Sequence, residues 1–167
     1  MTRQILVGGV PIGGGAPVVI QSMLNTKTTD VEGSLAQIKQ LATAGCQIAR
    51  LAIPDKRAIA PFGEICAASP LPLVADIHFD YKIALASIAA GVDKVRINPG
   101  NFHKDHDKAQ QQFARLVQVC KEHGTAIRIG LNHGSLGERI TGLYGNTPLA
   151  MKEAVMEWLN MCVENDY

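Results

Sequence analysis

From about residue 16 to the end of the chain, a short β-branched stretch, a turn and a helical stretch follow one another repeatedly. Val18–Ile20, Gln47–Ile53, Leu73–Ile77, Lys94–Ile97 and Ala126–Leu131 read as strands. Helical patterns lie between and after them, near residues 30–44, 56–68, 81–90, 107–123 and 148–164. Parallel strands cannot be joined by a tight turn, so this alternation implies a parallel sheet with helical crossovers. Hydrophobic residues are 47% of the 167, enough to cover such a sheet and too many for a disordered chain.

The punctuation agrees with the pattern. Thr29-Asp30-Val31-Glu32 reads as a capping box opening the first helix, with Leu35, Ile38 and Ala42 on one face. Asp55 and Asp80 stand where the next two helices need N-caps, and Thr147-Pro148 opens the last. Gly45, Gly91 and Gly124 each stand where a left-handed residue ends a helix. The last helix carries a core stripe of Met151, Val155, Trp158 and Cys162. Strands start between roughly 20 and 35 residues apart, which suits both a doubly wound sheet and a (β/α)8 barrel. The first βα connection, residues 21–29, has no G-x-G-x-x-G, which weakens the doubly wound reading. The fold expected is therefore α/β, a partial (β/α)8 TIM barrel of about five βα units. Ahead of it, Ile5, Val7, Val10 and Ile12 alternate around glycines as a small β-hairpin over the barrel's N-terminal end. Gly13-Gly14-Gly15 reads as the hairpin's turn and exit, since no Gly-Lys-Ser/Thr follows to make a phosphate loop.

A formal charge of +1 does not favour a nucleic-acid surface. No apolar run reaches the roughly 18–20 residues of a membrane span, and the start of the chain lacks the apolar core of a signal peptide. A cytoplasmic protein is expected. Cys46, Cys66, Cys120 and Cys162 form no C-x-x-C pair and read as small buried residues, so no metal site is expected in this chain.

Side chains two apart on a strand share a face, which turns scattered polar residues into a constellation. Arg50, then Asp76 with His78, Arg96 with Asn98, and Arg128 with Asn132 fall towards the C-terminal ends of successive strands. Barrel enzymes place their active sites there. Converging guanidinium groups need anionic partners. Arg50 and Arg96 could pair with Asp55 and Asp76 in an internal ion network. Alternatively, Arg50, Arg96 and Arg128 grip a phosphate or diphosphate, with Asn98 and Asn132 as neutral donors. His78 reads equally as an acid/base group or a hydrogen-bonded histidine at a strand end. His103 and His106 form H-x-x-H in a polar loop facing solvent, and His133 sits in a turn.

Several stretches together resemble one family. They are Val10-Pro11-Ile12-Gly13-Gly14, Gln21-Ser22-Met23, Asn25-Thr26, Ala44-Gly45-Cys46, Pro72 to Asp80, Val95 to Asn101 and Arg128 to Leu136. In that order they are similar to 4-hydroxy-3-methylbut-2-enyl diphosphate synthases, reductive iron–sulfur enzymes of the non-mevalonate isoprenoid pathway. Asn132 to Leu136 with Tyr144-Gly145 and Thr147-Pro148 looks closer to the longer plant-like and chlamydial-like branch. The resemblance implies a TIM barrel holding the diphosphate of 2-C-methyl-D-erythritol 2,4-cyclodiphosphate. It also implies a 4Fe–4S cluster on a separate C-terminal domain, fed by reduced ferredoxin or flavodoxin. By motif match Arg50, Arg96 and Arg128 would bind the diphosphate, with Asn98 and Asn132 as companions.

The same resemblance implies that residues 1–167 are the N-terminal portion of the substrate barrel. Strands six to eight and the cluster ligands would fall beyond Tyr167, and the chain alone would be inactive. Unpaired edge strands predict association with another copy or with the missing half-barrel, or disorder at residues 139–146. A dihydropteroate-synthase-like phosphate- or pterin-binding barrel and a non-catalytic partner-binding domain are the alternatives.

Overall fold

The computed structural model describes residues 2–78 and 80–167; Met1 and Phe79, the latter within the Pro72–Asp80 match, lie outside the described residues. Strands β1 (Ile5–Val7) and β2 (Val10–Ile12) pair antiparallel, with Val7 opposite Val10. Gly8 and Gly9 make the two-residue turn at φ +53° and +86°, a pair of left-handed residues that matches the twist of a hairpin. Five strands follow: β3 (Gln21–Met23), β4 (Ile48–Ala52), β5 (Leu73–Asp76), β6 (Lys94–Ile97) and β7 (Ala126–Ile129). They form one parallel sheet in sequential order, leaving β3 and β7 at its edges. The crossovers are α1 (Val31–Thr43), α2 (Ile59–Ala68), α3 (Tyr81–Ala89) and the pair α4 (Pro99–Phe102) and α5 (His106–His123). After β7 come α6 (Glu138–Tyr144) and α7 (Pro148–Glu164). The expected α/β architecture, with five parallel strands behind an N-terminal hairpin, is present.

Strand alternation splits the apolar residues into two cores. Ala49, Leu51, Ile53, Ala75, Ile77, Val95 and Ile97 face the helices and pack with Ile38, Phe62, Ile65, Ile88, Phe113 and Leu116. Trp158 anchors α7 to this layer, edge-on to Phe102 and Phe113 at centroid distances of 5.0 and 4.6 Å. Each fully buried Val, Leu, Ile or Phe among these contributes about 1.5–3 kcal/mol. On the opposite face Ile48, Val74 and Ala126 meet Val7, Val10, Ile12 and Val19, so the hairpin seals the N-terminal end of the half-barrel. The other end of that inner face is polar, and it holds the candidate site.

Several expectations shift. The first strand lies at Gln21–Met23 instead of Val18–Ile20, and Val18 is 93% exposed. Its position is set by pairing with β4, since Gln47 N–H already donates to the Ile20 carbonyl. Asp30, not Thr29, caps α1, accepting from Gly33 N at 2.9 Å. The α7 stripe runs through Ala150, Ala154, Trp158, Met161 and Cys162, with Met151 and Val155 on its margin. Residues 138–144, which overlap the 139–146 segment expected as the alternative place for partial disorder, form α6, and its Ile140 packs with Leu136, Ala150 and Ala154. Asp80 and Thr147 cap as expected, whereas Asp55 caps a 3-10 turn at Lys56–Ala58 that leads into α2, whose own first residue has no side-chain cap.

Candidate anion site at the C-terminal ends of the strands

Register builds the site. Asp76 on β5, Arg96 on β6 and Arg128 on β7 stand side by side, and one row nearer the hairpin lie Arg50 on β4 and Lys94 on β6. Asp76, only 2% exposed, is the hub. Its Oδ2 accepts from Arg50 Nη2 at 2.5 Å, and its Oδ1 from Arg96 Nη1 at 3.1 Å. His78 Nε2 lies 3.3 Å from Oδ2, with its ring half exposed. Arg96 also donates from Nη2 to the Gly130 carbonyl at 3.1 Å. A Cβ at Gly130 would stand 2.0 Å from Arg96 Nε, so that guanidinium lies flat on bare backbone.

The ion network is thus half as expected. Asp76 takes both arginines, whereas Asp55 closes on Arg57, from its own helical turn, at 3.0 Å and is held down at about 2 by that bond. The compensation remains incomplete. Arg50 Nε is buried with no hydrogen-bond partner. Exposed Arg128 has no ion pair among the described residues. Buried Lys94 donates only to Gln21 Oε1, at 3.2 Å across the curved sheet. Burial, then Arg128 and Arg50, push its ammonium below the ordinary lysine value. Among the described residues, the four cations of these two rows therefore share one carboxylate in the register, Asp76. Sequence reasoning missed Lys94, although it shares the alternation of Arg96 and Asn98.

The two asparagines serve the scaffold first. Asn98 caps α4 by accepting from Gly100 N, and its amide donates to Ser135 Oγ at 2.9 Å. Ser135 Oγ in turn donates to Asn132 Oδ1 at 3.0 Å. This chain ties the loop after β7 to the loop after β6 and leaves the Asn132 amide exposed beside the arginines' strand ends. Of the remaining histidines, His103 is exposed and accepts from Asp105 N, His106 pairs with Glu157 at 3.0 Å, and His133 lies in an exposed turn.

The cysteines do not suit an iron–sulfur cluster. No group of three or more His, Cys, Asp or Glu side chains among the described residues could hold a metal. Burial raises the Cys66 and Cys120 thiols to about 12 and raises Cys162 as well. At pH 8 a thiol of pKa about 12 is ionised to about one part in ten thousand. Cys66 and Cys120 are accordingly expected to resist a thiol-selective disulfide reagent at pH 8 and to react on unfolding. Cys66 is half-buried, not fully enclosed as the sequence suggested, and rapid labelling of it or of buried Cys120 in the native chain, read by peptide mass spectrometry, would contradict their raised thiol pKa values. No helix among the described residues is long and apolar enough to cross a membrane.

Comparison with known proteins places this geometry in a family. The chain matches the family described as the GcpE TIM-barrel domain over residues 2–167. It is 48% identical over 167 residues to a protein of Geobacillus kaustophilus and 46% identical over 164 residues to one of Natranaerobius thermophilus. A Lawsonia intracellularis protein is 41% identical over 167 residues. All three are named 4-hydroxy-3-methylbut-2-en-1-yl diphosphate synthase (flavodoxin). The alignments take in 98–99% of this chain but only 43–45% of those proteins, so the chain spans less than half their length. None of the three is a plant or chlamydial protein, and that branch expectation rests on residues 132–136 and 144–148 alone. A match across all the strand-end motifs at once sets aside the dihydropteroate-synthase-like alternative, and the chain belongs to the GcpE TIM-barrel domain family.

Proposed function

We propose that residues 1–167 are the N-terminal part of the substrate barrel of a 4-hydroxy-3-methylbut-2-enyl diphosphate synthase. In this reading Arg50, Arg96 and Arg128 hold the diphosphate of 2-C-methyl-D-erythritol 2,4-cyclodiphosphate, with Asn98 and Asn132 fixing its orientation. The observation that carries it is the charge imbalance on the inner face. One buried carboxylate orients two guanidinium groups, while Lys94, Arg128 and the Arg50 Nε atom are left for an anion. Asp76 acts as a positioning residue, and His78, half exposed beside it, is the group nearest to hand for a proton.

The reductive step needs electrons that these residues do not carry. The 4Fe–4S cluster of the complete enzyme would draw its ligands from outside residues 1–167. Flavodoxin, named for the relatives, is the donor proposed for that enzyme. The chain by itself is expected to show no reductive turnover. Edge strands β3 and β7, with Ile20 and Met23 exposed at the first, are the surfaces that further barrel strands or a second copy would cover.

Calorimetric titration with the cyclodiphosphate at two salt concentrations tests the anion site, with Arg128→Ala as the variant. Arg128 is exposed and makes no ion pair among the described residues, so its loss should change stability by less than about 0.5 kcal/mol. Binding should weaken with salt, and about tenfold or more on removing one charged fork. Binding that is indifferent to both salt and Arg128 would sink the proposal.

A further inference from the structure

Lys94 stands apart from every other cation on the inner face. Among the described residues it is the one that neither pairs with a carboxylate nor reaches solvent, being 7% exposed. Its neighbours explain why. Arg50 faces it from β4, Arg128 from β7 and Arg96 stands two residues further along its own strand. The nearest carboxylate in the register is Asp76 on β5, whose two oxygens are taken by Arg50 and Arg96. From β3 comes only the neutral Gln21 amide. Arg3 and Asp166 line the cleft that also includes Lys94 and Arg128.

A lysine 7% exposed on a floor shared with other cations holds its proton less tightly than a free lysine, because burial and like charges both penalise the ammonium. A multivalent anion laid across the arginines reverses the sign of that field and draws the proton back. We propose that Lys94 is a proton-linked positioning residue of the anion site, taking up a proton from solvent at Nζ when a diphosphate binds. The inference rests on the anion-site reading above. It extends that reading by making affinity depend on pH through a residue one row beneath the arginines.

The sign follows from linkage. The Lys94 pKa is lowered in the free protein and raised in the complex, so binding takes up protons between the two values. Affinity is full below the free value and falls as pH rises through the alkaline range.

The probe is inorganic diphosphate, titrated calorimetrically into the full chain at several pH values, in buffers of different ionisation enthalpy. Wild type, Lys94→Met and Lys94→Arg are compared, so that protonation of the ligand itself is common to all three. Lys94→Met should bind about tenfold more weakly at neutral pH. Lys94→Arg keeps a permanent charge, so it should recover that affinity and lose the extra proton uptake. Equal proton uptake in wild type and Lys94→Arg would overturn the proposal, even if Lys94→Met fails to fold. Absence of diphosphate binding in the wild type would instead overturn the anion site and this inference with it.

Discussion

Asp76→Ala is expected to destabilise the chain by about 3–5 kcal/mol, the range for stripping a buried ion pair of one partner. Asp76 is held in the sheet by register, between Ala52 and Arg96, and its carboxylate is the shared acceptor for two guanidinium groups. Its removal strands both. The converse changes are milder: Arg50→Ala leaves Asp76 with Arg96, and Arg96→Ala leaves it with Arg50. Arg128→Ala breaks no pair at all among the described residues. Chemical denaturation should therefore rank Asp76→Ala as most harmful, Arg50→Ala and Arg96→Ala next and Arg128→Ala close to wild type. Truncating Arg96 in the Asp76→Ala background should recover part of the loss, because it removes a buried charge with no counter-ion. Additive losses in that double variant would mean that the carboxylate does not hold the arginines.

Asp76 also shows what the sequence could and could not reveal. Its place among the arginines followed from period-two alternation, as did the β6 boundaries, Lys94–Ile97, where charged and β-branched residues alternate. Pairing preferences were less legible. Asp55 and Asp76 are alike as residues, and only the register of β4 against β5 brings one to Arg50 while a local turn claims the other for Arg57. The first strand misled because Val18-Val19-Ile20 is apolar by composition, yet it lies at an open edge where hydrogen bonding to β4, not burial, sets the strand. Lys94 was hidden for the opposite reason: a lysine beginning a strand is usually a solvated end. Its hydrogen-bond partner, Gln21, is 73 residues away in sequence. Asn98 and Asn132 were legible as strand-end polar groups, but the Ser135 hydroxyl that joins them depends on a loop whose path no local pattern encodes.

That loop makes Gly100→Ala the second large effect. Gly100 sits in the first turn of α4, where its bare Cα faces the backbone of the loop after β7. A Cβ there would lie 1.7 Å from the Ser135 carbonyl oxygen, 2.6 Å from its carbon and 3.0 Å from Gly137 N. These are backbone atoms, so no rotamer change relieves the clash, and the loop itself must move. Gly137, at φ +82°, cannot swing aside freely, because its left-handed backbone is what turns the chain into α6. The expected cost is about 3 kcal/mol, the upper end of the range for overpacking a tight contact. Function should suffer beyond stability. Displacing Ser135 breaks its bonds to Asn98 and Asn132 together, so diphosphate affinity should fall in the fraction that remains folded. Ser135→Ala separates the two effects, since it cuts the same bonds without a clash. It should reproduce the loss of affinity with a stability change of about 1 kcal/mol. Wild-type stability in Gly100→Ala would show that α4 and the loop after β7 are not in contact. Wild-type affinity in Ser135→Ala would show that the asparagines are positioned without it.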